Sequence, residues 1–406
     1  MTVLLENRSG VIRVRSARAE AVLRDRTAVV LDLRSPKEFA EDHLPGAFNV
    51  PLFGDVERAL VGTLYRRESP EAAFDQGRVI ARARIAGLVA EVARLSGLEI
   101  GPEDFGRRVE EMTAHGITGL STAIVCEPAQ ELPERPIVLH CWRGGLRSRS
   151  VAGFLAGLGL PRIVQLEGGY KGYRAEVLRE LAAWRAPRTF VLRGLTGVGK
   201  TLVLREIELL RPEWTVDLEG LAGHRSSLLG MVGLEPASQK AFESGLAARL
   251  RQRPTGPLVL EGESRKVGDA IIPIAIWRAL ENGSNLELTA SVERRISVLR
   301  EDYLASPRSR PELARQLPLI EERMIREPGE PTLQELLASD RVTELVERLL
   351  LRYYDPLYRH GEQGRRLDAR FDASQPARAA EEIVAWIEGS GGTDGSGGSG
   401  PIEAAR

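Results

Sequence analysis

His140-Cys141-Trp142-Arg143-Gly144-Gly145-Leu146-Arg147-Ser148 sets a cysteine and an arginine at the two ends of a short, glycine-containing loop. Gly144 and Gly145 let successive backbone N–H groups turn into that loop, and a helix expected to start near Ser148 adds its N-terminal field. Such a cradle binds anions and favours a thiolate. Cys141 is therefore read as a nucleophile or chalcogen carrier, with Arg143, Gly144, Gly145, Arg147 and Ser148 holding an anion; an inert core thiol has no use for Arg143, Arg147 and Arg149 around it. The second chemical stretch is Gly194-Leu195-Thr196-Gly197-Val198-Gly199-Lys200-Thr201. In this Gly-x4-Gly-Lys-Thr pattern the amides of Gly194, Gly197 and Gly199 wrap phosphate oxygens, Lys200 neutralises them and Thr201 can ligate Mg²⁺. The pattern specifies a polyphosphate and leaves its organic half open.

Each loop needs a strand before it and a helix after it, and the flanking residues supply both. A short strand after Val11, a helix over Ala17 to Leu23 and a strand over Ala28 to Leu33 open an α/β domain with a parallel sheet. Residues from about 53 to 133 carry a mostly helical pattern and read as an insertion over the cysteine site, before strands at Pro136 to Leu139 and Arg162 to Gln165. In Glu167-Gly168-Gly169-Tyr170-Lys171-Gly172-Tyr173-Arg174, Gly172 reads as a turn, and a helix to Arg185 closes a domain over residues 1–186. A second domain over 187–388 starts with the strand Arg188 to Arg193 and continues with strands at Trp214 to Leu218, Pro257 to Glu261 and Asn285 to Thr289. That alternation fits a doubly wound phosphate-loop fold with a helical C-terminal part over Val292 to Leu351. Residues 389–406 are rich in glycine and serine and read as a disordered tail.

Strand-end carboxylates Asp217, Glu219, Glu261 and Glu263 are candidate Mg²⁺ ligands, among which spacing does not choose. Arg225 and Arg265 sit in donor-rich neighbours of these acids, and Arg294, Arg295 and Arg300 suit either lid contacts to a phosphate or a solvated helix face. The 406 residues carry 56 lysines and arginines against 57 aspartates and glutamates, so global charge neither supports nor excludes an RNA partner. Only Cys126 and Cys141 are present, which suits a reducing, cytoplasmic setting with a catalytic thiol; Cys126, inside the insertion, has no reason to sit near Cys141. No leader is visible at Met1 to Gly10 and no apolar run reaches the ~18 residues of a membrane span.

Taken alone, the cysteine loop fits cysteine-dependent phosphatases as well, although no general-acid aspartate is evident. Leu31-Asp32-Leu33-Arg34-Ser35-Pro36-Lys37-Glu38-Phe39 and His43-Leu44-Pro45-Gly46-Ala47-Phe48-Asn49-Val50-Pro51 resemble the rhodanese (sulfurtransferase) domain, whose cysteine carries a persulfide or perselenide. Both loops, the Glu167 to Arg174 stretch, Asp217-Leu218-Glu219-Gly220-Leu221-Ala222-Gly223-His224-Arg225 and Glu261-Gly262-Glu263-Ser264-Arg265 together resemble the bacterial tRNA 2-selenouridine synthase family, a rhodanese domain fused to a P-loop domain.

That resemblance implies replacement of sulfur by selenium at C2 of the wobble uridine 34 in tRNAs for lysine, glutamate and glutamine. It further implies S-geranylation of 2-thiouridine by geranyl diphosphate at the P-loop, then displacement by selenium from selenophosphate at Cys141. A selenophosphate-producing enzyme becomes a partner, Arg174 and Arg225 become RNA contacts, and the segment Val292 to Tyr354 becomes a lining for the geranyl chain. The competing expectations are an ATP-dependent rhodanese-fused kinase or sulfurtransferase, a cysteine phosphatase, and a non-catalytic RNA-binding scaffold. The last is disfavoured because Cys141 and Lys200 are both retained.

Overall fold

Isoleucine, valine and leucine fill the strands on either side of the cysteine loop, and these strands pair in parallel, buried on both faces as continuous apolar runs require. In the computed structural model, which describes residues 11–252, 256–304, 308–325, 327–361 and 364–390, these two are β5 (Ile137–His140) and β6 (Ile163–Leu166), in one sheet with β1 (Ile12–Ala17), β2 (Val29–Asp32), β3 (Phe48–Asn49) and β4 (Ile124–Pro128). The sheet order is β3-β2-β5-β6-β1-β4. Pairing of β2 with β5 sets Asp32 opposite His140, directly before the cysteine. The helices Asp55–Arg67, Pro70–Ser96, Phe105–Thr113 and Gly116–Ala123 form the insertion. Ile85, Leu88, Val92 and Leu120 from these helices join Leu31, Leu139 and Phe154 in one core.

The chain divides into two compact units: one reaches Leu181 and includes Glu243–Gly245, and the other comprises Ala182–Phe242 and the chain from Leu246 on. The second unit holds β7 (Thr189–Arg193), β8 (Thr215–Val216), β9 (Leu258–Glu261), the two-stranded hairpin β10 (Lys266–Val267) and β11 (Ala270–Ile271), then β12 (Ser284–Thr289) and β13 (Ala369–Asp372). Its five-stranded sheet runs β13-β12-β7-β9-β8, all parallel. From β7 the chain moves first to one side and later to the other. The carboxyl end of β7 is thus a topological switch point, where open α/β sheets bind their ligands. A second, all-helical core gathers Leu299, Leu317, Leu336, Leu345 and Leu349. The architecture is α/β throughout, with parallel sheets and helices. Among the described residues no helix is long and apolar enough to cross a membrane.

Four local expectations need correction. Ala17 ends β1, and the helix after it covers Ala19–Arg24, since pairing with Leu166 on β6 holds Ala17 extended. The insertion is not helical to residue 133: Ile124–Pro128 forms β4, an edge strand in register with β1. The helix after the cysteine loop begins at Leu146, not Ser148. Gly172 lies within the helix Gly169–Ala183 and marks close packing instead of a turn, because a Cβ there would stand 2.6 Å from the Glu167 carbonyl oxygen. At the C-terminus the helix Pro376–Gly389 takes in the first residue of the glycine-rich stretch, and residues from 391 on lie outside those described.

Arg34 and Asp32 carry the sheet end that supports the cysteine loop. Arg34 is 1 % exposed and Asp32 is fully buried, and the guanidinium donates from Nε to both carboxylate oxygens at 3.0 Å and from Nη2 to the Asp42 carbonyl at 2.7 Å. Arg34 also lies 3.7 Å above the Tyr170 ring. Removing one partner of such a pair strands a buried charge. Asp32→Ala is therefore expected to lower unfolding free energy by about 3–5 kcal/mol, measured by chemical denaturation; a loss under about 1 kcal/mol would show that the pair is not what holds this sheet end.

Candidate active sites

The cysteine loop is shaped by contacts that only glycine permits. Gly144 has φ +63°, and a Cβ there would meet the Leu166 carbonyl oxygen at 2.8 Å. Gly169 comes closer still, since its Cβ would stand 2.3 Å from both the Cys141 carbonyl oxygen and the Gly144 nitrogen. Backbone N–H groups of Tyr170 and Lys171 donate to the carbonyls of Cys141 and Trp142, each at 2.9 Å, and pin the loop to the next helix. Cys141 is buried, with Sγ 3.3 Å from Ser148 Oγ. Arg147 is half-buried and Arg143 exposed, so both reach the loop from its solvent side.

His140 is buried with both ring nitrogens lacking a hydrogen-bond partner. Burial drives its pKa from 6.5 down to about 4, against the opposing pull of Asp32. Burial thus favours its neutral form. A polar chain that sequence reading misses runs behind the loop. Gln165 Nε2 donates to the Gly144 carbonyl at 2.6 Å and to Ser148 Oγ at 3.1 Å, while its Oε1 accepts from the Cys126 thiol at 2.6 Å. Cys126 thus sits near the cysteine loop, contrary to expectation, because β4 pairs with β1 and sets Cys126 opposite Val14, from where its thiol reaches the Gln165 side chain on β6, the strand on the other side of β1. Burial raises its pKa, so it stays a thiol and acts as a donor.

In front of Cys141 lies a cavity of about 720 Å³ roofed by the insertion helices. Five arginines, Arg58, Arg66, Arg78, Arg143 and Arg147, share its lining with apolar side chains, and no aspartate or glutamate does. A cysteine phosphatase needs a general acid at this place, and the lining offers none.

At the phosphate loop, Gly194, Gly197 and Gly199 have φ of +141°, +77° and +92°, values open to glycine and strained for other residues. A Cβ on Gly194 would stand 2.5 Å from the Leu288 carbonyl oxygen. Lys200 donates to the Gly194 carbonyl at 3.2 Å and faces the Tyr358 ring, whose hydroxyl accepts from the Gly194 N–H at 2.9 Å. Burial opposes its charge, but Tyr358 and the carboxylates Glu263, Glu219 and Glu261 together raise its pKa, so it remains an ammonium. Thr201 Oγ1 donates to Glu261 Oε2 at 3.3 Å, and Glu261 Oε1 accepts from the Glu219 N–H at 2.8 Å. Glu261 is fully buried.

A cavity of about 1070 Å³ joins this loop to Asp217, Glu219, Glu263, Arg225 and the aromatic wall Tyr303, Tyr353 and Tyr354. Tyr353 and Tyr354 lie within a π-type turn at Leu350–Tyr354, a distortion that recurs at functional sites, and Tyr303 comes from the helix Val292–Leu304. Arg225 donates to the carbonyls of Val232 and Asp302 at 2.9 and 3.0 Å, which fixes it at the rim. Asp217 caps the short helix Leu218–Ala222 by accepting from Gly220 N–H at 2.6 Å. Sequence reading misses Arg193, Arg205, Trp277 and Tyr358, which also line the cavity.

For four arginines the structure decides among the expectations, and for Arg300 and Arg294 it leaves the helix-face reading. Arg295 is buried and pairs with Asp355 at 3.0 Å while donating to the Thr196 carbonyl at 2.9 Å, so it braces the loop from behind. Arg300 is exposed and reaches Thr343, and neither it nor Arg294 lines the cavity. Arg265 is exposed and outside the lining, where its neighbour Lys266 takes part. Arg174 lies in the helix Gly169–Ala183.

The three glutamates respond to one another. Glu219 is raised from 4.5 to about 8, by burial first and then by Glu263, and burial also pushes Glu261 and Glu263 up. A carboxyl whose folded pKa lies above its unfolded value binds extra protons in the folded state, so stability falls as pH rises between the two. Below 6.5 the depressed His140 works in the opposite sense. The free protein is therefore expected to lose melting temperature between pH 6.5 and about 8, at up to ~1.4 kcal/mol per pH unit and proton, with Glu261→Gln flattening the slope. A melting temperature that rises through that window contradicts this carboxylate cluster.

Residues 187–318 match the family model described as the tRNA 2-selenouridine synthase AAA domain. A tRNA 2-selenouridine synthase of Chromohalobacter salexigens is 32% identical over 277 residues, 68% of this chain and 65% of that protein. One of Cupriavidus pinatubonensis is 34% identical over 283 residues, 68% of this chain and 66% of its own length. Another, of Hydrogenovibrio crunogenus, is 28% identical over 356 residues, 81% of this chain and 88% of its own. The chain thus spans about 65% of the length of the first relatives it matches. Residues 187–318 thus match a domain of the tRNA 2-selenouridine synthases, and the chain is similar to members of that family over 68–81% of its own length.

Proposed function

We propose that the protein is a tRNA 2-selenouridine synthase, a transferase that replaces sulfur by selenium at C2 of the wobble uridine in two stages. The observation that carries this reading is the presence, in one chain, of an anion-cradling cysteine loop beside an apolar cavity and a phosphate loop beside an aromatic one. Neither a kinase nor a phosphatase needs both. In the first stage the diphosphate of geranyl diphosphate lies on the amides of the Gly194 to Thr201 loop with Lys200 against its oxygens. Its chain runs along Leu299, Tyr303, Tyr353 and Tyr354. The sulfur of 2-thiouridine attacks the first geranyl carbon, the carbon–oxygen bond breaks, diphosphate leaves with the electron pair, and the N3 proton of the base passes to water. Thr201 and Glu261, adjacent at 3.3 Å, fit a Mg²⁺ held otherwise by water, which would neutralise charge on the departing diphosphate.

In the second stage selenophosphate occupies the Cys141 loop against Arg143, Arg147 and the loop amides. A carbon–selenium bond forms at C2, the carbon–sulfur bond breaks, and geranyl thiolate leaves with its electron pair and takes a proton from water; water then removes the phosphoryl group as phosphate. Alkylation matters because a thioether-like sulfur leaves more readily than the sulfur of a thiocarbonyl. Partners on this reading are tRNAs for lysine, glutamate and glutamine and a selenophosphate-producing enzyme, in the cytoplasm. Nucleoside mass spectrometry of 2-thiouridine tRNA incubated with the protein and either or both donors tests the reading. Selenouridine only when both donors are present supports it, whereas unmodified thiouridine with Lys200-dependent ATP hydrolysis replaces it by the kinase.

A further inference from the structure

The cavity over Cys141 is too large and too apolar for the anion that the cysteine loop holds. Its lining brings Phe53, Phe74, Ile85, Met112, Ile117 and Phe154 together from the insertion and the first sheet, with Cys141 and Trp142 at one end. Its volume of about 720 Å³ is that of a site for an organic chain, whereas selenophosphate is a small polar ion that gains nothing from phenylalanine and methionine walls. Apolar surface removed from water is favourable in proportion to its area, roughly fourfold in affinity for each buried methylene. The absence of carboxylates from the lining and the arginines Arg58, Arg66 and Arg78 at its margin fit a guest whose polar end is anionic or attached to an RNA backbone.

We propose that this cavity holds the geranyl chain of the S-geranyl-2-thiouridine, with the chain among the insertion helices and C2 of the base over Cys141. The inference rests on the two-stage reading above and adds a second prenyl site to it, distinct from the one at the phosphate loop. The argument is one of reach. The chain is a single sulfur atom away from the carbon that selenium attacks, so when C2 lies at the Cys141 loop ten carbons must be accommodated within a few ångströms of it. The apolar volume that opens onto Cys141 is where they go. Holding the chain also holds the leaving group. When the carbon–sulfur bond breaks, geranyl thiolate departs into the cavity and is protonated there by water, away from the amide- and arginine-lined loop that keeps the incoming anion.

The test uses the full chain and two variants that narrow the cavity from different helices, Ala81→Phe on Pro70–Ser96 and Val61→Trp on Asp55–Arg67. Circular dichroism melting establishes that each variant is folded, and two positions guard against one failing. Calorimetric titration with S-geranyl-2-thiouridine and with S-methyl-2-thiouridine is the first readout. The wild type is expected to bind the geranyl nucleoside at least a hundredfold more tightly, and both variants to lose at least tenfold on the geranyl nucleoside and nothing on the methyl one. The second readout is conversion of preformed S-geranyl tRNA to selenouridine, expected to fall at least tenfold in the variants and to recover when a five-carbon prenyl group replaces geranyl. The proposal is overturned by folded variants that bind and convert geranyl substrates like wild type, or by geranyl affinity that vanishes with Tyr303→Ala instead. Failure of the two-stage reading looks different: wild-type protein then converts no preformed S-geranyl tRNA, and both fall.

Discussion

Lys200→Ala leaves 2-thiouridine unmodified when tRNA, geranyl diphosphate and selenophosphate are supplied together, with geranyl transfer reduced on the order of 10²–10³-fold. Lys200 is the charged donor aimed into the phosphate loop, held beside Gly194 and kept protonated by the surrounding glutamates. As the carbon–oxygen bond of the prenyl donor breaks, negative charge builds on diphosphate, and only groups already oriented toward it lower the barrier. Removing the ammonium also takes away the cation that acts on Glu219 and Glu263 at the cavity that would hold the diphosphate. The loss is specific to the first stage. The same variant, given tRNA that already carries S-geranyl-2-thiouridine, is expected to make selenouridine within about threefold of wild type; single-turnover assays with nucleoside mass spectrometry check both halves. Loss of both stages together would mean that the two loops do not divide the chemistry.

Cys141→Ala gives the complementary result. Geranylated nucleoside accumulates, while selenouridine falls on the order of 10²-fold, the scale on which sites respond when a group that positions the reacting anion is lost. Structure alone does not account for such a fall, because alanine fits the volume of a buried cysteine and leaves the Gln165 contacts to Gly144 and Ser148 in place. Cys126→Ala separates the two cysteines. It removes a donor to Gln165 and leaves the thiol of the anion loop in place, so its effect on selenation is expected to stay within about tenfold. Equal losses from both cysteines would point to a thiol pair acting as one unit.

Both loops are legible in the sequence because what makes them is local. A left-handed or wider φ at Gly144, Gly194, Gly197 and Gly199 demands glycine at fixed offsets from Cys141 and Lys200, and apolar runs before each loop announce its strand. The parallel, alternating architecture follows from those runs as well. What depends on distant partners is not legible. Ile124–Pro128 is five residues long and becomes a strand only by pairing with β1, more than a hundred residues earlier, and with it comes the placement of Cys126. Arg295 reads as either a phosphate contact or a solvated side chain, and only Asp355 shows that it is neither, while Tyr358 gives no local sign that it reaches Gly194. The cavity over Cys141 is likewise a product of four insertion helices meeting, none of which carries a motif.

Time-resolved nucleoside mass spectrometry is the most direct test of a two-stage account. Wild-type protein in excess over 2-thiouridine tRNA, with geranyl diphosphate and selenophosphate added together, is expected to show S-geranyl-2-thiouridine rising first and then decaying as 2-selenouridine appears. A pulse of geranylated tRNA should chase fully into selenouridine. Selenouridine that forms without geranyl diphosphate, or at full rate while added geranylated tRNA stays untouched, would contradict the account and reduce the phosphate loop to a role outside the chemistry.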